Sequence, residues 1–143
     1  MEERSTQELE NALSQADEIE DVLDFDENTL SDVTVAEYLN QLLKEHNLKK
    51  NDIINASCID QAYAYHIFSG DKKQPGRAKL LALSIAMKLS RVETEHLLYY
   101  GRVNKLYAKN NWDKVIIYAL NKKLSVERTN CILSDLSLTP LLG

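Results

Sequence analysis

The stretch "SCIDQAYAYHIFSGDKKQP", residues 57–75, is too polar for a buried strand and too aromatic for a loop. Ile59, Tyr63 and Ile67 recur every four residues, the spacing of one face of a helix. Asp60 stands where a helix cap belongs, and Gly70 where many helices close in the left-handed conformation. The helix predicted between them runs into a turn with two lysines and a proline. Its other side carries Gln61, Tyr65 and His66, which need something to touch.

Helices are expected on both sides of this stretch. "TVAEYLNQLLKEHNL" has Thr34 as a cap and Val35, Leu39, Leu42 and Leu43 on one stripe. "KKNDIINAS" predicts a short helix with Ile53, Ile54 and Ala56 inward. "RAKLLALSIAMKL" is strongly apolar through Leu80, Leu81, Leu83, Ile85 and Ala86. "SRVETEHLLYYG" opens with Ser90 and places Glu93 three residues on, the spacing of a capping box, and ends at Gly101. No credible strand is found.

Residues 79–106 and 114–141 align without a gap at an offset of 35. Lys79 recurs as Lys114, Lys88 as Lys123, Leu89-Ser90 as Leu124-Ser125, Thr94 as Thr129, Leu98 as Leu133 and Leu106 as Leu141. A helix, a Leu-Ser elbow and a second helix therefore occur twice, as expected when one helical hairpin stacks on another. Tyr107 and Trp112, in the linker, are expected to wedge the two units together.

A short helix, a tight elbow, a second short helix and a supporting helix describe a helix-turn-helix unit. Residues 34–98 resemble the phage-repressor-like (Xre-type) helix-turn-helix family, a five-helix DNA-binding domain. The likeness runs through Leu48, Ile53, Ile59, Ile67, Gly70, the basic turn ending in Pro75, and "LLALSIAMKLS". It implies a five-helix repressor-like domain over 33–101; together with the repeat, the expectation is an all-α fold in which that domain is extended by a C-terminal helical hairpin, 102–143, that repeats its last two helices. The sequence departs from the family at Cys58, where a glycine is usual, at Ile54 in place of a small alanine, and at Ala64 in place of a larger inward residue. The elbow must therefore tolerate a side chain.

The resemblance also implies roles. The helix at 60–68 would enter the major groove of double-stranded DNA with Gln61 and Ala62 foremost and His66 one turn deeper. Gln pairs with the N6 and N7 edge of adenine, Ala meets a thymine methyl, and His bonds guanine or a phosphate. Lys50 takes the family's phosphate-holding position; Lys49, Tyr65, Lys72, Lys73 and Arg77 would grip the backbone around it.

Charge divides the chain in two. Residues 1–32 hold twelve Asp/Glu against one Arg, a balance of −11; residues 33–143 hold sixteen Lys/Arg against ten Asp/Glu, a balance of +6. The acidic leader contains "STQELENALSQA", where Ser5 and Glu8 could open a helix. It could also fold back on the basic body and weaken non-specific DNA binding. There is no apolar run long enough for a membrane span and no hydrophobic signal region, so the cytoplasm is expected. Cys58 and Cys131 lie far apart without ligand spacing and are expected as reduced, partly buried thiols.

These features favour a sequence-specific transcriptional regulator, acting as a homodimer on a two-fold site through a hairpin surface of Trp112, Ile116, Ile117, Leu133 and Leu136. The alternative is a helix-turn-helix-fold protein-interaction module that has lost DNA binding and holds a protein partner through the acidic leader or the hairpin. Enzymatic activity, a cofactor and a metal are not expected. The sequence has no glycine-rich phosphate loop, H-E-x-x-H or Cys/His cluster, and His46, His66 and His96 lie twenty or more residues apart.

Overall fold

In the computed structural model of the protein, residues 33–142 are described; the helix and fold-back expected of the leader lie outside them. Seven α-helices and no strand occur among the described residues. They are α1 (Val35–Glu45), α2 (Lys50–Ser57), α3 (Gln61–Ser69), α4 (Arg77–Ala86), α5 (Arg91–Tyr100), α6 (Asn111–Lys122) and α7 (Val126–Asp135). The all-α expectation holds.

The helix starts follow from side-chain oxygens. Thr34 and Ser90 form capping boxes with Glu37 and Glu93, while Asp60, Asn110 and Ser125 each accept a backbone N–H of the first turn. The helix ends follow a second rule. Asn47, Lys88, Arg102, Lys123 and Ser137 all take positive φ, and the apolar residue after each donates its N–H back to the last turn. Leu48 bonds to Leu43 O, Leu89 to Ser84 O, Val103 to Leu98 O, Leu124 to Ala119 O and Leu138 to Leu133 O. These are left-handed closures made without glycine, whose strain is offset by the recovered carbonyl bond and the apolar contact.

Helix α4 is the centre of the molecule. Every residue from Leu80 to Met87 is buried, so the helix is apolar all round and has to be covered on all sides. The helices α2, α5, α6 and α7 do this. Its one buried hydroxyl, on Ser84, donates to Leu80 O. Gly101, at the end of α5, permits the closest approach: a Cβ there would stand 2.4 Å from Leu80 Cδ1. Stripes from α1 (Val35, Tyr38, Leu39, Leu42, Leu43) and α2 (Ile53, Ile54) fill the rest of this core, with Ser57 buried where Ala56 was expected and Ala56 exposed.

The duplication extends to individual hydrogen bonds. Thr94 and Thr129 each return a hydroxyl to the carbonyl four residues back, Ser90 and Ser125. Glu95 and Asn130 accept the N–H of Leu106 and Leu141. Arg77 and Trp112, also 35 apart, donate to Asn104 O and Thr139 O. Lys88 Nζ donates to Lys123 O at 2.9 Å, and Lys123 Nζ donates to Lys88 O at 2.9 Å. A row of stacked hairpins cannot give such a mutual bond; a local two-fold axis between the two hairpins does. In keeping with that axis, α4 touches α7 and α5 touches α6. The two units thus face each other instead of following in line.

Tyr107 does not wedge them. Its ring is 61% exposed, while Trp112 is half-buried and bonded through its indole N–H. Both cysteines are free and exposed instead of partly buried.

Between α1 and α5, His96 packs near the Tyr38 ring, with centroids 6.3 Å apart. Burial, partly opposed by the Glu93 carboxylate, lowers its pKa from 6.5 to about 4. The unfolded chain therefore binds a proton below about 6.5 that the folded chain refuses until about 4. The stability it confers is complete above 6.5 and is lost as pH falls through 4. Glu93 acts in the same direction at lower pH. Burial pushes its carboxyl up, but bonds from Ser90 and from His46 Nε2 at 2.8 Å hold it below the usual range. In chemical denaturation the His96 contribution should accordingly fall by on the order of 2 to 3 kcal/mol between pH 7 and pH 4, offset in part by Glu95, whose carboxyl pKa is pushed up by burial. His96→Gln should flatten the upper part of that profile; an unaltered profile would assign the loss to other groups.

Candidate nucleic-acid interface

The elbow between α2 and α3 is built by three residues. Cys58 adopts φ 64°, so the side chain that the sequence put in place of glycine is accommodated in the left-handed region. Ser57 Oγ donates to Ile54 O at 2.8 Å and accepts the Ile59 N–H at 3.2 Å, closing the turn from inside. Asp60 then caps α3 through Tyr63 N. Ala64, Ile67 and Phe68 anchor α3 in the core, and Asn40 of α1 donates to Phe68 O at 3.0 Å. At the far end Gly70, with φ 93°, reverses the chain.

This leaves one face of α3 outside. Gln61, Ala62 and His66 are all exposed, as are Lys49, Lys50, Lys72 and Lys73. His66 Nδ1 lies 3.2 Å from Asp71 Oδ2. A neutral ring with its proton on Nδ1 therefore keeps Nε2 as an acceptor, suited to the amino group of adenine or cytosine. A guanine or phosphate acceptor requires the imidazolium.

Tyr63 and Tyr65 connect α3 to its neighbours on either side. Lys72 Nζ and Lys79 Nζ lie 5.2 Å and 4.8 Å from the Tyr63 ring centroid, which sets the first turn of α4 beside α3. Tyr65 OH donates to Asn51 Oδ1, which sets the first turn of α2 on the other side. The Tyr65 hydroxyl is therefore bonded within the protein, to the exposed Asn51. Sequence reading overlooked Asn51 and Lys79 because their relevance depends on tertiary neighbours of α3, which local spacing does not encode.

These two flanking helices are the two whose starts no side chain caps. α2 begins at Lys49-Lys50, with Asp52 in its first turn; α4 begins at Gly76, with Arg77 and Lys79 and no acidic residue. The other five helices have side-chain caps. α3 thus lies between two helix starts that have no side-chain cap among the described residues.

Arg77 does not join this face. Its Nη1 and Nη2 donate to Asp113 Oδ1 and Oδ2 at 3.1 and 2.9 Å, and its Nε and Nη2 donate to Asn104 O and Lys105 O at 2.8 and 3.0 Å. The guanidinium is committed to tying α4 to α6 and to the loop before it. Asp113 is buried, so removing its partner strands a charge. Arg77→Ala should cost about 3 kcal/mol in equilibrium unfolding. Asp113→Asn in the same background should recover part of the loss, because it removes the stranded charge and keeps an acceptor for Tyr107 N–H; a strictly additive pair would refute the coupling.

No family model, curated protein or solved structure matches this chain. Among the described residues no helix is long and apolar enough to cross a membrane.

Proposed function

We propose that the protein is a cytoplasmic, sequence-specific DNA-binding regulator that sets α3 into the major groove. The observation that carries this reading is the exposed Gln61–Ala62–His66 face, flanked by two uncapped helix starts with Lys49, Lys50 and Lys79. Phosphates on both sides of a groove are matched by such ends, since each supplies backbone donors and positive charge together. Gln61 reads adenine, Ala62 lies against a thymine methyl, and His66 bonds the next base or a phosphate. Lys49, Lys50, Lys72 and Lys73 neutralise phosphates, with Asn51 positioned by Tyr65 as a further donor. Arg77 is left out of this set and acts as an internal strut.

Homodimerisation on a two-fold site is part of the proposal, with a narrower surface than the sequence led one to expect. Ile116 and Leu133 lie fully in the core, so a second copy is met by Leu136, which is 58% exposed, and by exposed Tyr118. The second reading, a protein-interaction module, is favoured by one observation: the Asp71 carboxylate beside His66, which places a negative charge at the edge of the groove-facing surface.

Selection of bound duplexes from random DNA decides between them. A motif with an adenine at the Gln61 position is expected. Gln61→Ala should lower discrimination there by about 1 to 3 kcal/mol without abolishing binding. Lys50→Ala should weaken every duplex alike and reduce the salt slope by about one. No enrichment at low salt, together with a protein partner that survives nuclease treatment, would overturn the DNA reading.

A further inference from the structure

The net charge of the described body is unevenly placed. Residues 33–100 hold nine Lys/Arg and seven Asp/Glu, a balance of +2, whereas the shorter stretch 101–143 holds seven against three, a balance of +4. From His96 to Trp112 the chain has no Asp or Glu, and Arg102, Lys105 and Lys109 fall within that span. All three are exposed, and so is Tyr107.

The backbone of this loop is pinned from below. Arg77 holds the carbonyls of Asn104 and Lys105 at 2.8 and 3.0 Å. Glu95 accepts the N–H of Leu106 at 3.2 Å, and Asp113 accepts that of Tyr107 at 2.8 Å. Four consecutive residues are thus fixed by charged side chains that face inward, while Lys105, Tyr107 and Lys109 face out. The same Arg77 stands in the first turn of α4, from which Lys79 reaches Tyr63 of α3. α3 and the loop therefore both meet the first turn of α4, one at Lys79 and the other at Arg77.

The duplicated hairpin supplies an internal control. Thr139 and Leu141 are pinned in the same way as Asn104 and Leu106, by Trp112 and Asn130. There, however, Pro140 and Leu142 stand in place of Lys105 and Tyr107, and Ser137 in place of Arg102. The turn forms without cations or an exposed aromatic ring, so folding does not require them at 102–109.

We infer that the loop of residues 102–109 is a second nucleic-acid contact. It is an outboard clamp in which Lys105 and Lys109 neutralise backbone phosphates and Tyr107 packs on the sugar–phosphate chain beyond the groove occupied by α3. The inference rests on the DNA reading proposed above and extends its footprint onto the C-terminal hairpin. The loop carries no base selectivity, because long cations on an exposed turn meet the uniform backbone.

The full chain tests this by fluorescence anisotropy on the selected duplex and on an unrelated one, over a salt series. Lys105→Ala/Lys109→Ala should weaken both duplexes roughly tenfold or more and lower the slope of log K against log salt by about two. Tyr107→Ala should weaken both with the slope kept. The melting temperature should stay at the wild-type value for Tyr107→Ala and Lys109→Ala and fall only slightly with Lys105→Ala, since the Lys105 charge favours the ionised Glu95 carboxyl. Lys122→Ala/Arg128→Ala, which removes the same charge elsewhere on the hairpin, should have a clearly smaller effect. An equal effect from that control would mean net charge alone matters and would overturn the clamp. Wild-type binding in the loop variants, alongside weakened binding in Lys50→Ala, would sink the clamp and leave the α3 reading standing. A wild-type chain that binds no duplex at low salt would end both.

Discussion

The structure depends on one constraint: α4 is apolar on every side and cannot be left with a wet face. Eight consecutive buried residues, Leu80 to Met87, demand more cover than a neighbouring pair of helices provides. Each buried leucine among them contributes about 2 kcal/mol only while its surroundings stay closed. α2 and α5 supply two sides, and α6 and α7 complete the enclosure. The C-terminal hairpin is therefore part of the core, and its resemblance to α4–α5 follows from meeting that hairpin across a two-fold axis. The two like units share residues where they meet, down to a lysine that bonds the other's terminal carbonyl.

The requirement also governs where charge goes. Arg77 and Asp113 form a pair whose side chains are 26% and 7% exposed, a bond that joins α4 to α6 at the edge of the apolar layer. Its guanidinium has five donors in a rigid fork, and the structure uses that geometry for a carboxylate and two carbonyls together. A lysine there would hold one or two of these. The sequence presents Arg77 as one more cation beside a basic turn; only the position of Asp113, thirty-six residues later, shows that its charge is already answered.

That contrast marks what could be read in advance. Helix number and caps were legible because each depends on residues within four positions of one another, as with Thr34 and Glu37 or Ser90 and Glu93. The duplication was legible for the same reason, since it preserves local signals at a fixed offset. Tyr107 was misjudged because an aromatic residue in a linker is ordinarily drawn to the nearest apolar surface. Here the backbone at 104–107 is fixed by three charged side chains from distant positions, and the ring is turned outward. The two-fold relation was likewise invisible, because an offset of 35 describes stacked and facing hairpins equally well. In the candidate site, exposure of Gln61, Ala62 and His66 followed from helical period; the flanking roles of Asn51 and Lys79 did not, as they require knowing which helices border α3.

What remains is to explain why so economical a core leaves two helix starts unfinished. A Ser, Thr, Asp or Asn cap is worth about 1 kcal/mol, and the chain installs one at five helices. At α2 and α4 it places Lys49 and Gly76 instead, followed by Lys50 and Arg77, which set positive side chains near the positive end of the dipole. Stability alone would select against Lys49 as a cap, whereas Gly76 costs only a few tenths of a kcal/mol. The two choices become favourable together if an anion completes the two sites on either side of α3. At α4 the Arg77 charge is answered by Asp113 and the Lys79 ammonium lies over the Tyr63 ring, so it is the backbone donors of that turn that lack a side-chain cap. α3 thus has on either side a helix start without a side-chain cap, and the proposed DNA contact would supply an anion to both.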